Sequence, residues 1–273
     1  MQSTLAVVLR KLARRGLEAI GPEQIEEAQI FLDFLDAEPG VLLEVGAHQG
    51  DGVFLEFAAS DWTIHAFEPD PGNREILDEA VNGLANVTVV PKAVSDKPGT
   101  LTLYRLEEST GASSLAPFTE RHQAALEVEV ITLADYMATS GLGSVDFLKL
   151  DIEGFEKFAL VGFPWETHRP RAILLEFDDT KTVPLGYGWR DLAEALQGRG
   201  YAVLVSEWLP IERYGVAHTW RRFAAYPAVL ADPKAWGNLL AVEPSEFARL
   251  ERLARRLARR FHRRTRIKRW IGR

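Results

Sequence analysis

Short apolar runs alternate with amphipathic stretches along most of this chain. VLLEV at 41–45 is apolar but for one acid and leads straight into a glycine turn, the pattern of a strand covered on both faces. TIHAF (63–67), NVTVV (86–90), VDFLKL (145–150), AILLEF (172–177) and YAVLVSEW (201–208) repeat it. Residues 51–59, 73–81, 155–161 and 189–199 read as helices in between, the last ended by Gly200. Strands that alternate with helices predict a doubly wound α/β fold with a mainly parallel sheet.

The segment from Pro98 to Leu133 breaks this rhythm. TLTLYRL (100–106) and LEVEVITL (126–133) alternate apolar and polar positions and predict half-exposed strands. The small and polar stretch GASSLAPFTERHQ (111–123) between them predicts a loop beside the site. Near the N-terminus, Leu5–Leu17 predicts a basic amphipathic helix rather than a signal peptide, because its charges follow the apolar stretch. Ile25, Ala28, Ile30, Phe31, Phe34 and Leu35 predict a second helix, stopped at Pro39-Gly40. VAHTWRRFAAY (216–226) is taken as a last strand, and one long basic helix is expected from Pro244. The expected division is an N-terminal helical extension (1–38), a catalytic α/β domain (39–226) and a C-terminal basic helical extension (227–273).

Composition narrows the chemistry. At 273 residues the chain is long enough to bury a sizeable core unaided. It has no cysteine, which excludes disulfides, thiolate-bound zinc and a thiolate nucleophile. No apolar run approaches the roughly 18 residues of a membrane span, and a cytoplasmic protein is expected. The net charge of −7 is unevenly spread, since residues 249–273 hold twelve Lys or Arg against one acid. An acidic body with a basic tail predicts that the tail meets something anionic.

The candidate chemistry lies at strand ends, where open α/β sheets bind ligands. Glu44, Gly46, Ala47, His48 and Gly50 follow the first strand, and Glu68 and Pro69 follow the second. Asp96 comes after the third, Asp151 and Glu153 after VDFLKL, and Glu176 ends AILLEF. Glycines at 46 and 50 let the backbone approach a ligand closely. Glu68, about twenty residues beyond the glycine turn, is placed to hold both hydroxyls of a ribose. The turn G-A-H-Q-G-D-G lacks the G-x-G-x-x-G spacing of a dinucleotide site, so a single nucleoside is the better match.

VLLEVGAHQGDGVFLEF, AFEPDP, VVPKAVSDKPGTLTLY, VDFLKLDIEGFEKFALVG and AILLEF stand in the order of the FkbM-type methyltransferases, which the chain resembles over about residues 40–178. The D-x-E-G-x-E and S-D-x-x-G segments are the most distinctive. The resemblance implies the class I S-adenosylmethionine fold and O-methylation of sugar or polyketide hydroxyls. It also implies that Glu44, Gly46 and Gly50 form the first cofactor motif, that Glu68 holds the ribose, that Ala93, Val94 and Asp96 lie near the adenine, and that Asp151 and Glu153 face cofactor and acceptor. His48 departs from the family, which commonly has asparagine there.

Methyl transfer to an alcohol needs positioning and a base. Asp151, Glu153, Glu176 and His48 are the candidate catalytic residues, with a helix cap as the structural role open to Glu153. Glu156 is read as a solvated helix residue or a partner for Arg or Lys. Lys149, opposite Leu148 and Leu150 in strand period, is read as a support for Glu44 or Asp151, or as catalytic. His122 and the serines 113 and 114 are secondary candidates. Asp151, Glu153, Glu176 and Asp178 offer the oxygen donors that magnesium takes, but acids at strand ends occur without metal too, and no metal is assigned.

In the basic tail Phe247, Leu250, Leu253, Leu257 and Phe261 form an apolar line among arginines. Three roles stay open for it: folding back on the domain or onto a protein partner, lying on an anionic inner membrane surface, or binding nucleic acid. The expected activity is S-adenosylmethionine-dependent O-methylation of a sugar, glycan or small natural product. RNA ribose methylation and a non-enzymatic cofactor-binding scaffold are the alternatives. Homo-oligomerisation is left open.

Overall fold

A computed structural model describes residues 25–35, 39–50, 54–107, 109–212 and 218–271. The helix expected at Leu5–Leu17 lies outside these residues, as does the start of the one expected from Asp51. In chain order the elements are α1 (Ala28–Leu35), β1 (Val41–Val45), α2 (Phe54–Ala58), β2 (Thr63–Phe67), α3 (Pro71–Ala80), β3 (Val87–Val90), β4 (Ala93–Val94), β5 (Gly99–Leu106), β6 (Ser109–Ser114), β7 (Gln123–Ile131), α4 (Leu133–Ser140), β8 (Phe147–Leu150), α5 (Glu156–Val161), β9 (Ala172–Asp178), α6 (Asp179–Thr182), α7 (Trp189–Gly198), β10 (Ala202–Trp208), β11 (Trp220–Ala225), β12 (Trp236–Val242) and α8 (Phe247–Ile271).

Eight strands form the main sheet in the order β11-β10-β12-β9-β8-β1-β2-β3. Strands β3, β2, β1, β8 and β9 run parallel. The strand order reverses between β1 and β8, which opens a crevice at their carboxyl ends. β12 runs antiparallel to both β9 and β10, so it begins where β9 ends. Apolar side chains from both faces of the sheet fill two cores. α1, α2 and α8 cover one of them, and α4, α5 and α7 the other. This is the doubly wound α/β architecture. The central strand β9 is buried at every position, which is why it opens on the apolar run Ala172–Leu175 before its acidic end.

The structure corrects two of these expectations and adds one helix. The segment expected as a C-terminal basic helical extension (227–273) contributes β12, an internal strand of the main sheet, ahead of its helix. A strand buried on both faces shows no alternation, and its Gly237 and Asn238 disguise it. Gly237 is needed there because a Cβ would lie 1.9 Å from the Ser206 carbonyl oxygen. Part of the expected loop at 111–123 belongs to β6, in a second sheet ordered β4-β7-β5-β6. Helix α4, capped by Thr132 and ended at Gly141 in the left-handed region, was not anticipated.

The apolar line of α8 packs on the protein itself. Leu250, Ala254 and Leu257 are buried in the core that α1 also covers. Arg249 stacks on Phe34, 4.9 Å from its ring centre, and Phe261 meets Trp220. α1 is pinned from its start by buried Glu27, which accepts hydrogen bonds from Ser206 Oγ (2.5 Å) and Trp208 Nε1 (2.8 Å). Among the described residues no helix is long and apolar enough to cross a membrane.

Candidate active site

A cavity of about 390 Å³ opens at the carboxyl ends of the parallel strands, within the usual size of a small-molecule site. Glu44, Gly46, Ala47 and His48 line it from the end of β1, and Glu68 and Pro69 from the end of β2. Ala93 and Val94 of β4, Asp151 and Glu153 beyond β8, and Glu176 of β9 line it as well. Gly50 and Asp96 do not line it. Gly50 instead closes the turn after β1, donating its N–H to the Ala47 carbonyl at 2.9 Å. Asp96 accepts a hydrogen bond from Ser95 Oγ. His122 also lies off the cavity; its Nε2 sits 2.9 Å from the Ala112 carbonyl oxygen.

Gly46 is required by contact as well as by conformation. Its φ is +87°, and a Cβ would stand 1.9 Å from the Asp151 carbonyl oxygen. The turns after β1 and β8 therefore close on each other only through a bare α-carbon. His48 (φ 49°) and Glu153 (φ 57°) hold left-handed backbones without being glycine. Such strain gathers at functional sites, where the surrounding structure enforces it.

Glu68 is buried, and its Oε1 accepts the Asp70 N–H at 2.8 Å. Burial, reinforced by the Asp70 charge, pushes its carboxyl up to about 7. Asp70 caps α3 through Gly72 and Asn73 and is clamped by Arg105 of β5 at 2.5 and 2.6 Å. That pair ties β5 of the second sheet to the start of α3, just beyond the end of β2. Ser114, at the end of β6, makes a further tie: its hydroxyl donates to the Glu153 carbonyl at 2.7 Å. Lys149, read either as a support for these acids or as catalytic, stands 2.7 Å from Glu44 and 3.6 Å from Asp151.

The D-I-E-G-F-E segment divides into three tasks. Asp151 is half-exposed at the rim. Glu153 turns into the cavity. Glu156, expected to be solvated, is only 1% exposed. It accepts the N–H groups of Ile152 (3.0 Å) and Gly154 (3.2 Å) and so clamps the turn that aims Glu153. A carboxylate can serve several converging backbone donors at once, and that favours burial over a surface ion pair.

Lys181 was not anticipated. It follows the acidic end of β9 and is 3% exposed. Its Nζ lies 2.5 Å from Glu153, 2.8 Å from Glu176 and 3.9 Å from Asp178. Burial works to lower its pKa, but the three carboxylates around it raise it above the ordinary range, so it stays an ammonium. Burial raises Glu153 to about 7 against the pull of Lys181, and raises Glu176 well above the usual range. One cation among three carboxylates leaves a proton on the cluster near neutrality. Oxygens of Asp151, Glu153 and Glu176 lie within 4.8 Å of one another, close enough to share an ion, but the lysine already supplies a positive charge between two of them. Ile211, His218 and Trp236 also line the cavity and were missed. Trp236 begins β12, whose misassignment hid it, and a lone histidine or isoleucine in a loop gives no signal.

The sequence matches the family model described as Methyltransferase FkbM domain over residues 44–203, more than half of the chain. No match is found among curated proteins. Similar solved structures include precorrin-6y C5,15-methyltransferase from Geobacter metallireducens GS-15, 12% identical with a TM-score of 0.42 over 80% of this chain and 87% of that one. Another is methyltransferase FkbM from Methylobacillus flagellatus KT, 16% identical with a TM-score of 0.44 over 74% of this chain and 43% of that one. A third is a fibrillarin pre-rRNA processing protein from Methanococcus jannaschii, 11% identical with a TM-score of 0.41 over 75% and 66% of the two chains.

Proposed function

This chain belongs to the FkbM methyltransferase domain family, and on that premise we propose that it methylates a hydroxyl of a sugar, glycan or small natural product, with S-adenosylmethionine as donor. The observation that carries the reading is one cavity that joins a nucleoside-type carboxylate, Glu68, to a buried carboxylate–lysine cluster, Glu153–Lys181–Glu176.

The donor set fits the cofactor. Glu68 is placed to accept hydrogen bonds from a ribose diol, and Phe67, Ala93, Val94 and Leu103 offer apolar surface to an adenine. Glu44 and Asp151, partly neutralised by Lys149, are placed to receive an ammonium group. When bound, S-adenosylmethionine supplies an activated methyl whose bond to sulfur breaks as the bond to the acceptor oxygen forms. The chain then has two tasks, alignment of the acceptor and removal of its proton. Glu153 is the base: its carboxylate takes the hydroxyl proton, and its raised pKa suits proton transfer near neutrality. Lys181 positions Glu153 and Glu176 and keeps their charge tolerable when both ionise.

The test is transfer of labelled methyl to a panel of neutral methyl glycosides, with titration calorimetry of the product cofactor S-adenosylhomocysteine. Wild-type protein is expected to bind the product cofactor and to label a glycoside. Glu68→Ala should weaken cofactor binding about 10- to 100-fold, equivalent to about 1.4–2.7 kcal/mol. Label confined to ribose hydroxyls of an RNA probe would favour the RNA methyltransferase reading. Cofactor binding without any turnover would favour a binding protein.

A further inference from the structure

The matched family domain ends at residue 203, yet the cavity does not. Ile211, His218 and Trp236 close it from chain segments beyond that domain. The topology explains how. β12 enters the sheet antiparallel beside β9, pairing Trp236 with Asp178, so the first residue of β12 reaches the rim where the parallel strands end. Cofactor-side residues thus come from the shared domain, and this wall comes from sequence outside it.

The wall has a definite chemistry. The Trp236 ring is braced by Trp208, with centroids 5.3 Å apart and planes at 33°, and by the His218 ring at 5.3 Å and 83°. A braced indole is a rigid apolar plate. Its Nε1 is buried with no hydrogen-bond partner among the described residues, so the ring presents itself to the cavity as apolar surface. Burial, then the charge of Lys181, holds the His218 imidazole in its neutral form. The nearby ammonium of Lys181 is already engaged by Glu153 and Glu176, so it offers little to a phosphate or carboxylate.

We propose, resting on the O-methyltransferase reading above, that Trp236 and His218 are the specificity-determining residues for the acceptor, and that they select an uncharged sugar ring. An apolar plate bordered by hydrogen-bonding groups matches a pyranose, which has a C–H face and a rim of hydroxyls. The carboxylates around Lys181 disfavour an anionic ring.

The experiment uses the full chain loaded with S-adenosylhomocysteine. The probes are methyl glucopyranoside, methyl glucuronate, glucosamine and catechol, each observed by saturation-transfer NMR. Wild-type protein is expected to transfer saturation to the neutral glycoside in preference to the other three. Trp236→Leu, which keeps apolar bulk and removes the aromatic plate, and His218→Ala should each weaken glycoside binding about tenfold or more, equivalent to about 1.4 kcal/mol. They should leave the calorimetric Kd for the product cofactor within about twofold of wild type, a difference of about 0.4 kcal/mol. In turnover the loss should fall on KM rather than on kcat. Glycoside binding that is unchanged in both variants overturns the specificity role and leaves the methyltransferase reading intact. Preference for glucuronate, glucosamine or catechol overturns the uncharged-sugar class. Wild-type protein that binds the cofactor and none of the glycosides removes the sugar acceptor from both readings.

Discussion

Glu153 shows what one residue in a tight turn is made to do. It holds a left-handed backbone (φ 57°), which costs a non-glycine residue on the order of 1 kcal/mol or more. The Glu156 clamp and the Ser114 bond offset that strain and aim the side chain at Lys181. With its carboxyl raised to about 7, a base here is protonated and idle below that pH. Turnover should therefore rise with pH through about 7, and Glu153→Gln should remove that limb and lower kcat at least about 100-fold; a pH–rate profile of both proteins checks it. Lys181 already stands among the acids that would otherwise attract magnesium, so turnover should survive excess chelator unchanged, as an assay with EDTA measures. Replacing Gly46 with Ala drives a Cβ into the Asp151 carbonyl and should cost roughly 2–4 kcal/mol of stability, to be read in denaturant melts. Glu44, Gly46, Glu68, Asp151, Glu153 and Glu176 were legible as cavity residues because acids and glycines at strand ends have few other uses. Lys181 was not, since a lysine two positions after an acidic pair looks like any surface charge until its burial is known.

Among the elements, α1 and α8 show how terminal helices become part of the fold. Glu27 is buried, and burial raises its pKa in spite of the bonds from Ser206 and Trp208. A carboxyl raised in the folded state lends stability that is complete below its unfolded pKa and fades as pH climbs through the folded one. Glu27→Gln should therefore flatten the stability–pH curve above about pH 4.5. Glu27→Ala should cost about 1–3 kcal/mol by stranding two buried donors, as thermal melts across pH would show. In α8, Leu250 is fully buried, and Leu250→Ala should cost about 2–5 kcal/mol. The apolar line of α8 was visible from its 3–4 residue spacing. What it packs against was not, because an amphipathic helix fits its own domain, a partner or a membrane surface equally well. β12 was invisible for a different reason: Gly237 and Asn238 interrupt its short apolar run, so it does not stand out as the parallel strands do.

For the whole molecule, charge and topology act over longer distances than any contact described above. The basic surplus of the last 25 residues sits on a body whose remaining charge is more negative than the net −7. Arg252, Arg256, Arg259 and Arg263 are exposed along α8, at spacings that keep them on one side of the helix. With the apolar line spent on the core, attraction to an anionic bilayer is left to these arginines and is open to screening. Flotation with anionic vesicles should show recruitment at low salt that is lost by about 0.5 M, and none with neutral vesicles. The alternation of apolar runs and helical periods was enough to determine a doubly wound α/β sheet, because burial on two faces leaves its imprint on every parallel strand. The ordered acids and glycines likewise determined the family and one rim of the cavity, because both depend on residues that follow directly from local strand ends. The cavity wall proposed for the acceptor was decided only by tertiary structure. Trp236, His218 and Lys181 come from separate segments and gain their chemistry from burial and from one antiparallel strand inserted beside β9, neither of which is a property of any stretch of sequence read alone.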